Sequence, residues 1–382
     1  MKTILKFVVA FAIGIAGGLV IAGVALYFIK GMTLGAYADK LAAFGAWHFV
    51  GVFLCATIAA AAAVYAQIIL HEGGHLVCGL ATGYRFVSFR IFNLTLIRQD
   101  GKLKVKKFGI DGTGGQCLLT PPELPLDKIP TVWYNIGGVL SNMVFSLIAV
   151  ALLLPVDDMP DIVEAFLVMF ACIGLAMALM NGIPMNISGI SNDGKNARML
   201  SHTPESMRVF VLQLKTNALV QNGMRPKDMP GEWFRQEGDI DYKNALQVAM
   251  RIMYAGWLMD RMQWQEAYDV LEEMEPHKAD IVGLFAKELD CELAFCAMVT
   301  GRTERAREVL TDKLLGYVKA FSKVMSSKQR LLCAKALYID NDSARASEIY
   351  EAVCARKDDY LMQGEVLSDI AIMETFLSRE GV

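Results

Sequence analysis

Five histidines occur in the 382-residue chain, and two of them stand four apart around a glutamate, in His71-Glu72-Gly73-Gly74-His75. On a helix, residues four apart point nearly the same way, so these two imidazoles can meet one metal ion, and zinc is the ion such a pair suits best. Glu72 lies about 100° round the same turn. There it can take a proton from a zinc-bound water as that water attacks a carbonyl. The pattern is that of a metal-dependent peptide hydrolase. It sits at the end of an uncharged run reaching back to Leu41. Two His and a Glu in lipid cost several kcal/mol together, so an ionisable cluster at membrane depth reads as a functional site. Gly73 and Gly74 each cost about 1 kcal/mol relative to alanine inside a helix. They are expected to let another backbone come close.

A two-His site needs a third protein ligand. The segment Asn181-Gly182-Ile183-Pro184 through Asn192-Asp193-Gly194 follows an apolar stretch. Pro184 cannot continue a helix ladder and Asn-Asp-Gly is turn chemistry, so irregular backbone is expected there. Alone, Asp193 reads as a turn residue; beside the histidines it becomes the candidate third ligand. Asp111 and Glu123, in the loop after the motif, are the reserve acids.

The elements that must position these groups are apolar. Hydrophobic residues make up 54% of the chain, above the soluble average of about 45–50%, and the excess lies almost wholly before residue 183. Phe7–Ile29 is a 23-residue uncharged stretch behind Lys2 and Lys6. It is longer than the usual apolar core of a signal peptide, roughly 7–15 residues, and is expected to be a retained anchor. Leu41–Ala81, Val132–Val156 and Ala165–Asn181 are three further candidate spans, making four. If Ala81 marks a water boundary, His71 lies about 15 Å deep along a straight helix. The third span carries Asn135, Gly137, Gly138, Ser141 and Asn142, small and polar residues at the spacing that suits close helix packing.

Between the second and third spans the period changes. Arg85–Arg98 alternates as one strand would, Asp100-Gly101 offers a tight turn, and Leu103–Lys106 alternates again, which together predict a β-hairpin. The glycine-rich stretch Asp111–Gln116 lacks Gly-Lys-Ser/Thr, so a flexible or re-entrant loop is expected in place of a nucleotide loop. The segment 84–130 carries eight Lys and Arg, 31–46 only Lys40 and 157–161 none. By the positive-inside rule both termini are expected in the cytoplasm of a multi-pass cell-membrane protein. A net charge of −3 and the lack of a basic, aromatic-interleaved patch argue against a nucleic-acid partner. The eight cysteines show no Cys-x-x-Cys spacing. They are expected as reduced, buried thiols.

Taken together, His71-Glu72-Gly73-Gly74-His75, Gly138-Val139-Leu140-Ser141-Asn142 on a middle helix, and Asn181-x-x-Pro184 with Asp193-Gly194 resemble the site-2 protease family of intramembrane zinc metalloproteases, over roughly residues 50–200. Val139 stands where many relatives have proline. The resemblance implies zinc held by His71, His75 and Asp193, Glu72 as the base, and Asn181, with Asn142, near the substrate. It also implies a hairpin, residues 85–110, on which an unfolded stretch of a transmembrane substrate is held as an added strand.

From Lys195 the chain is soluble in character. Pro204–Asn222 predicts one helix and Arg225–Gly231 a linker. Three alanine pairs twelve apart, Ala255/Ala267, Ala294/Ala306 and Ala334/Ala346, recur after 39 and 40 residues. They resemble tetratricopeptide-like helical hairpins, although the period exceeds the usual ~34 residues. Stacked hairpins imply a surface for a peptide or protein partner. The expectation is therefore a mainly α membrane protein: an anchor (1–40), a metalloprotease core (41–200), a linker helix and loop (201–235) and a helical repeat domain (236–382). Its expected work is cleavage of membrane proteins in or near their transmembrane segments. The other reading is a membrane-anchored adaptor with a structural or vestigial zinc site.

Overall fold

The computed structural model describes residues 46–382 apart from 100, 110–113, 155–158, 188, 237 and 382. Before residue 46 it describes only Tyr27, Gly31, Thr33, Gly35, Ala36 and Asp39. The expected anchor Phe7–Ile29 lies almost wholly outside the described residues. The protein is mainly helical with a small sheet, and it divides into two units, 1–78 with 133–184 and 79–132 with 185–382.

The first unit holds α1 (Ala46–Ala81), α2 (Thr131–Leu153) and α3 (Asp161–Gly182). Phe53–Ala81 in α1, Leu126–Leu153 running into and through α2, and Ile162–Gly182 in α3 are long and apolar enough to cross a membrane. Large apolar side chains face outward along all three, among them Ile58, Tyr65, Phe145, Leu147 and Leu179. Such surfaces are compatible with membrane insertion. The second expected span is one unbroken helix: α1 has 36 residues, about 54 Å of length.

Polar groups join these helices. Gln67 Nε2 on α1 donates to the Phe170 carbonyl on α3 (2.9 Å) and to Ser146 Oγ on α2 (3.3 Å). Ser141 Oγ donates to the Leu70 carbonyl at 2.7 Å. Gly74 and Gly137 allow the closest approach: a Cβ built on Gly137 would stand 2.5 Å from the Gly74 carbonyl oxygen. Gly73, by contrast, has nothing within 4 Å of such a Cβ. Of the expected pair, only Gly74 admits a neighbour.

In the second unit the predicted hairpin is a four-stranded antiparallel sheet of order β3-β2-β1-β4, from β1 (Arg85–Ile91), β2 (Leu94–Gln99), β3 (Lys102–Lys107) and β4 (Gly115–Thr120). Arg85–Arg98 is two strands. They turn at Phe92-Asn93, where Phe92 takes φ +51°, its N–H donates to the Gly114 carbonyl and its carbonyl accepts from Arg90. The turn reverses the parity of facing residues, so Arg90 pairs with Thr95 and both are buried. Gly101 (φ +74°) makes the expected turn into β3. Part of the glycine-rich stretch is strand as well, since Gly115 and Gln116 open β4.

After Pro184, the expected irregular segment forms a two-stranded ladder, β5 (Asn186–Ile187) with β6 (Ile190–Ser191), and then α4 (Asp193–His202). Next comes α5 (Pro204–Gln221), close to the predicted helix, which packs on β4 and donates from Gln221 to the Val87 carbonyl. The remaining helices are α6 (Ala245–Asp260), α7 (Trp264–Glu272), α8 (Gly283–Val299), α9 (Thr303–Val309), α10 (Asp312–Phe321), α11 (Ser326–Tyr338), α12 (Ser343–Ala355) and α13 (Gln363–Arg379). α6/α7, α8/α9 and α11/α12 pack as hairpins, and all six alanines of the three pairs are fully buried between them. The extra helix α10 and the short 3-10 turn Glu275–His277 account for the long period. All eight cysteines are free; Cys117, Cys291, Cys296 and Cys333 are buried, whereas Cys55 is exposed on α1.

Candidate metal centre

His71 and His75 lie one turn apart on α1, each 8% exposed. Their rings are nearly perpendicular, at 84°, and the two Nε2 atoms are 3.2 Å apart. The outer nitrogens have separate partners: His71 Nδ1 is 2.6 Å from Asn142 Oδ1, and His75 Nδ1 is 2.7 Å from the Tyr134 carbonyl oxygen.

These partners fix the tautomers. A carbonyl only accepts, so His75 Nδ1 carries the proton. Asn142 Nδ2 donates to the Gln67 carbonyl (2.9 Å) and to Gln67 Oε1 (2.7 Å). Both are acceptors, so the amide nitrogen must face Gln67 and the oxygen must face His71, whose Nδ1 is then the donor. Held this way, both rings turn Nε2 toward the same point, where the two nitrogens are 3.2 Å apart. Two nitrogens bound at about 2.0–2.1 Å to a tetrahedral ion are roughly 3.3 Å apart. The observed spacing fits.

The Asp193 carboxylate joins them, the three ligand atoms lying within 4.8 Å of one another. Among the described residues this is the one group of three or more His, Cys, Asp or Glu able to share an ion. Locally, Asp193 is the first residue of α4, where an acid suits the helix N-terminus. Asn192 caps that helix, accepting from the Lys195 and Met185 N–H groups at 3.0 and 3.1 Å. The Asn-Asp-Gly expected to turn thus starts a helix.

Gly138 adjoins the imidazoles directly. A Cβ there would be 2.6 Å from both His71 Cε1 and His75 Nε2. No alanine fits in that position without moving a ring.

The other expected residues are placed as follows. Glu72 is half-buried on α1 next to His71. Asn142 is fully buried, with its amide engaged by His71 and Gln67. Asn181 is half-buried in the last turn of α3 and donates to the Met177 carbonyl at 3.1 Å. Glu123 is exposed after β4, and Asp111 lies outside the described residues. Sequence reasoning passed over Gln67 and Tyr134. Gln67 could have been found, being polar in an apolar run and four residues before His71, on the same face. Tyr134 acts through its backbone carbonyl, which no side-chain type could mark.

Compared with protein-family models, with curated proteins and with solved structures, the chain matches none.

Proposed function

We propose that the chain is an intramembrane zinc endopeptidase of the site-2 protease type, hydrolysing peptide bonds in or near transmembrane segments of membrane proteins. The observation that carries the reading is the imidazole pair: Nε2 atoms 3.2 Å apart with both Nδ1 positions committed to acceptors, and one Asp193 oxygen close by. His71, His75 and Asp193 would hold the ion. Bound zinc would supply Lewis acidity toward water and the scissile carbonyl. Glu72 takes the proton from the attacking water and returns it to the leaving amine. Asn142 and the Tyr134 carbonyl keep both rings in the tautomer that offers Nε2, and such partners are worth about 10–100-fold in metal affinity or activity. Asn181 contacts the substrate, and β3, one of the two outer strands of the sheet, accepts its unwound segment through backbone hydrogen bonds. In this reading the chain crosses the membrane four times with both termini cytoplasmic, and tetratricopeptide-like hairpins select the client.

The test is release of a tagged single-span substrate by purified protein, with Glu72→Gln and His71→Ala compared. Glu72→Gln should keep the zinc and lose cleavage, and His71→Ala should lose both. Full cellular activity of Glu72→Gln would assign the work to the helical body as an adaptor.

A further inference from the structure

A cavity of about 210 Å³ opens in the helical body, among α5, α6, α8, α11 and α13. That is smaller than the roughly 300–1,000 Å³ of a drug-sized ligand site. Its polar wall holds Glu288, Glu292, Arg330, Glu365 and Asp369, while Met253, Met259 and Met362 supply apolar surface.

The charges do not balance. Arg330 bonds Glu292 and reaches Asp369 at 3.3 Å, and Lys328 pairs with Glu288 at 2.6 Å. Glu288 also accepts from the Tyr317 hydroxyl, and Asp369 from Ser326 Oγ at 2.6 Å. Four carboxylates therefore face two cations. Glu365 shares the field of Lys328, which is itself bonded to Glu288, and its own hydrogen bond is to the Ser327 hydroxyl. Burial, and then the neighbouring Asp369, hold its carboxyl above the ordinary range.

A second observation is independent of charge. Thr216 on α5 lines the same cavity, is 2% exposed, and its hydroxyl has no hydrogen-bond partner among the described residues. A helical threonine can bond a carbonyl one turn back; this one does not. A buried unpaired hydroxyl costs about 1–3 kcal/mol, a penalty that a ligand entering the cavity removes.

We infer that this cavity binds a primary ammonium or guanidinium group carried on an apolar stem, the charged head meeting Glu365 and the Thr216 hydroxyl and the stem lying on the methionines. Methionine side chains adapt to such stems. The volume admits one side chain or one small amine. The inference stands apart from the metal centre, since none of these residues belongs to it.

Full-length protein carrying Glu72→Gln, in lipid nanodiscs, is titrated with a labelled Gly-Ser peptide bearing one lysine, with the same peptide bearing norleucine, and with pentylamine as competitor. The lysine peptide should bind at least about tenfold more tightly than the norleucine one. Glu365→Gln and Thr216→Val should each abolish most of that preference. Displacement by pentylamine at peptide-like concentrations assigns the cavity to small amines, and resistance to it assigns a peptide side chain. Equal binding of the two peptides, no binding by lysine peptide or amine, or unchanged preference in both variants overturns the inference. Should Glu365→Gln fail to melt cooperatively, Thr216→Val, which removes no charge, decides.

Discussion

Replacing Gly138 by alanine tests the metal centre with a single methyl group. The new carbon would stand 2.6 Å from His75 Nε2 and His71 Cε1, about 0.8 Å short of the 3.4 Å at which ordinary contact begins. α2 has little room to withdraw, because Gly137 rests on Gly74 and Ser141 and Asn142 bond the backbone of α1. The imidazoles must give instead. A ring displaced by about 0.8 Å misses the metal–ligand tolerance of about 0.2 Å by a factor of four, and overpacking of this kind costs about 1–3 kcal/mol in stability. Gly138→Ala protein should therefore fold, melt several degrees lower, bind zinc with stoichiometry well below one, and cleave at least about 100-fold more slowly. The assay is metal content per chain after dialysis against a weak chelator, with substrate cleavage measured alongside. Gly73→Ala is the matched control: it lies in the motif itself but meets nothing within 4 Å. It should leave zinc unchanged and stabilise α1 by up to about 1 kcal/mol. A Gly138→Ala protein that holds zinc as tightly as wild type would refute the geometry.

Other substitutions probe the supports. Asn142→Leu removes the acceptor for His71 Nδ1 and the donor for two Gln67 oxygens; zinc affinity should fall about 10–100-fold in a chelator competition. Gly174→Ala would drive a methyl into Ser146 and Gln67, and its loss of helix packing should appear as a lower melting temperature with the apo protein equally affected. In the helical body, Arg330→Met strands Glu292 and Asp369, and about 3–5 kcal/mol of stability should be lost in urea unfolding. Burial raises the Glu365 and Asp369 carboxyls, so the folded state holds more protons than the unfolded chain. Unfolding followed by Trp257 and Trp264 fluorescence should accordingly show stability falling as pH rises from about 4 toward the raised folded values, and levelling above them.

Local spacing carried the legible parts. Four residues between His71 and His75 place two rings together on any helix, and twelve between Ala255 and Ala267 place two small residues inside any tight helical hairpin. Both patterns are arithmetic on the helix period, and the structure shows both pairs at short range or fully buried. The turn at Phe92-Asn93 was hidden because phenylalanine with positive φ is uncommon. It is held there by Arg90, whose guanidinium reaches the Phe92 and Gly115 carbonyls. Unbroken alternation on either side then reads as one strand. Asn192-Asp193-Gly194 carries turn chemistry and capping chemistry alike, and only the N–H groups of Met185 and Lys195 converging on Asn192 Oδ1 decide for the helix.

The hydrogen bonds that orient the imidazoles also hold the three apolar helices together. Gln67 accepts from Asn142 on α2 and donates to the Phe170 carbonyl on α3, while Asn142 itself accepts from His71. In an apolar surrounding each of these groups would be costly if unpaired, and a shift of α3 away from α1 breaks the bond that sets the Gln67 amide. That amide determines which way Asn142 faces, and Asn142 determines the His71 tautomer. Helix packing and metal-ligand readiness are therefore one equilibrium within this unit: a mutation on α3 that loosens the Phe170 turn should weaken zinc binding without touching a ligand. Val168→Gly does this at a buried position two residues from the site of contact, and a zinc affinity unchanged in that protein, with melting clearly lowered, would separate the two.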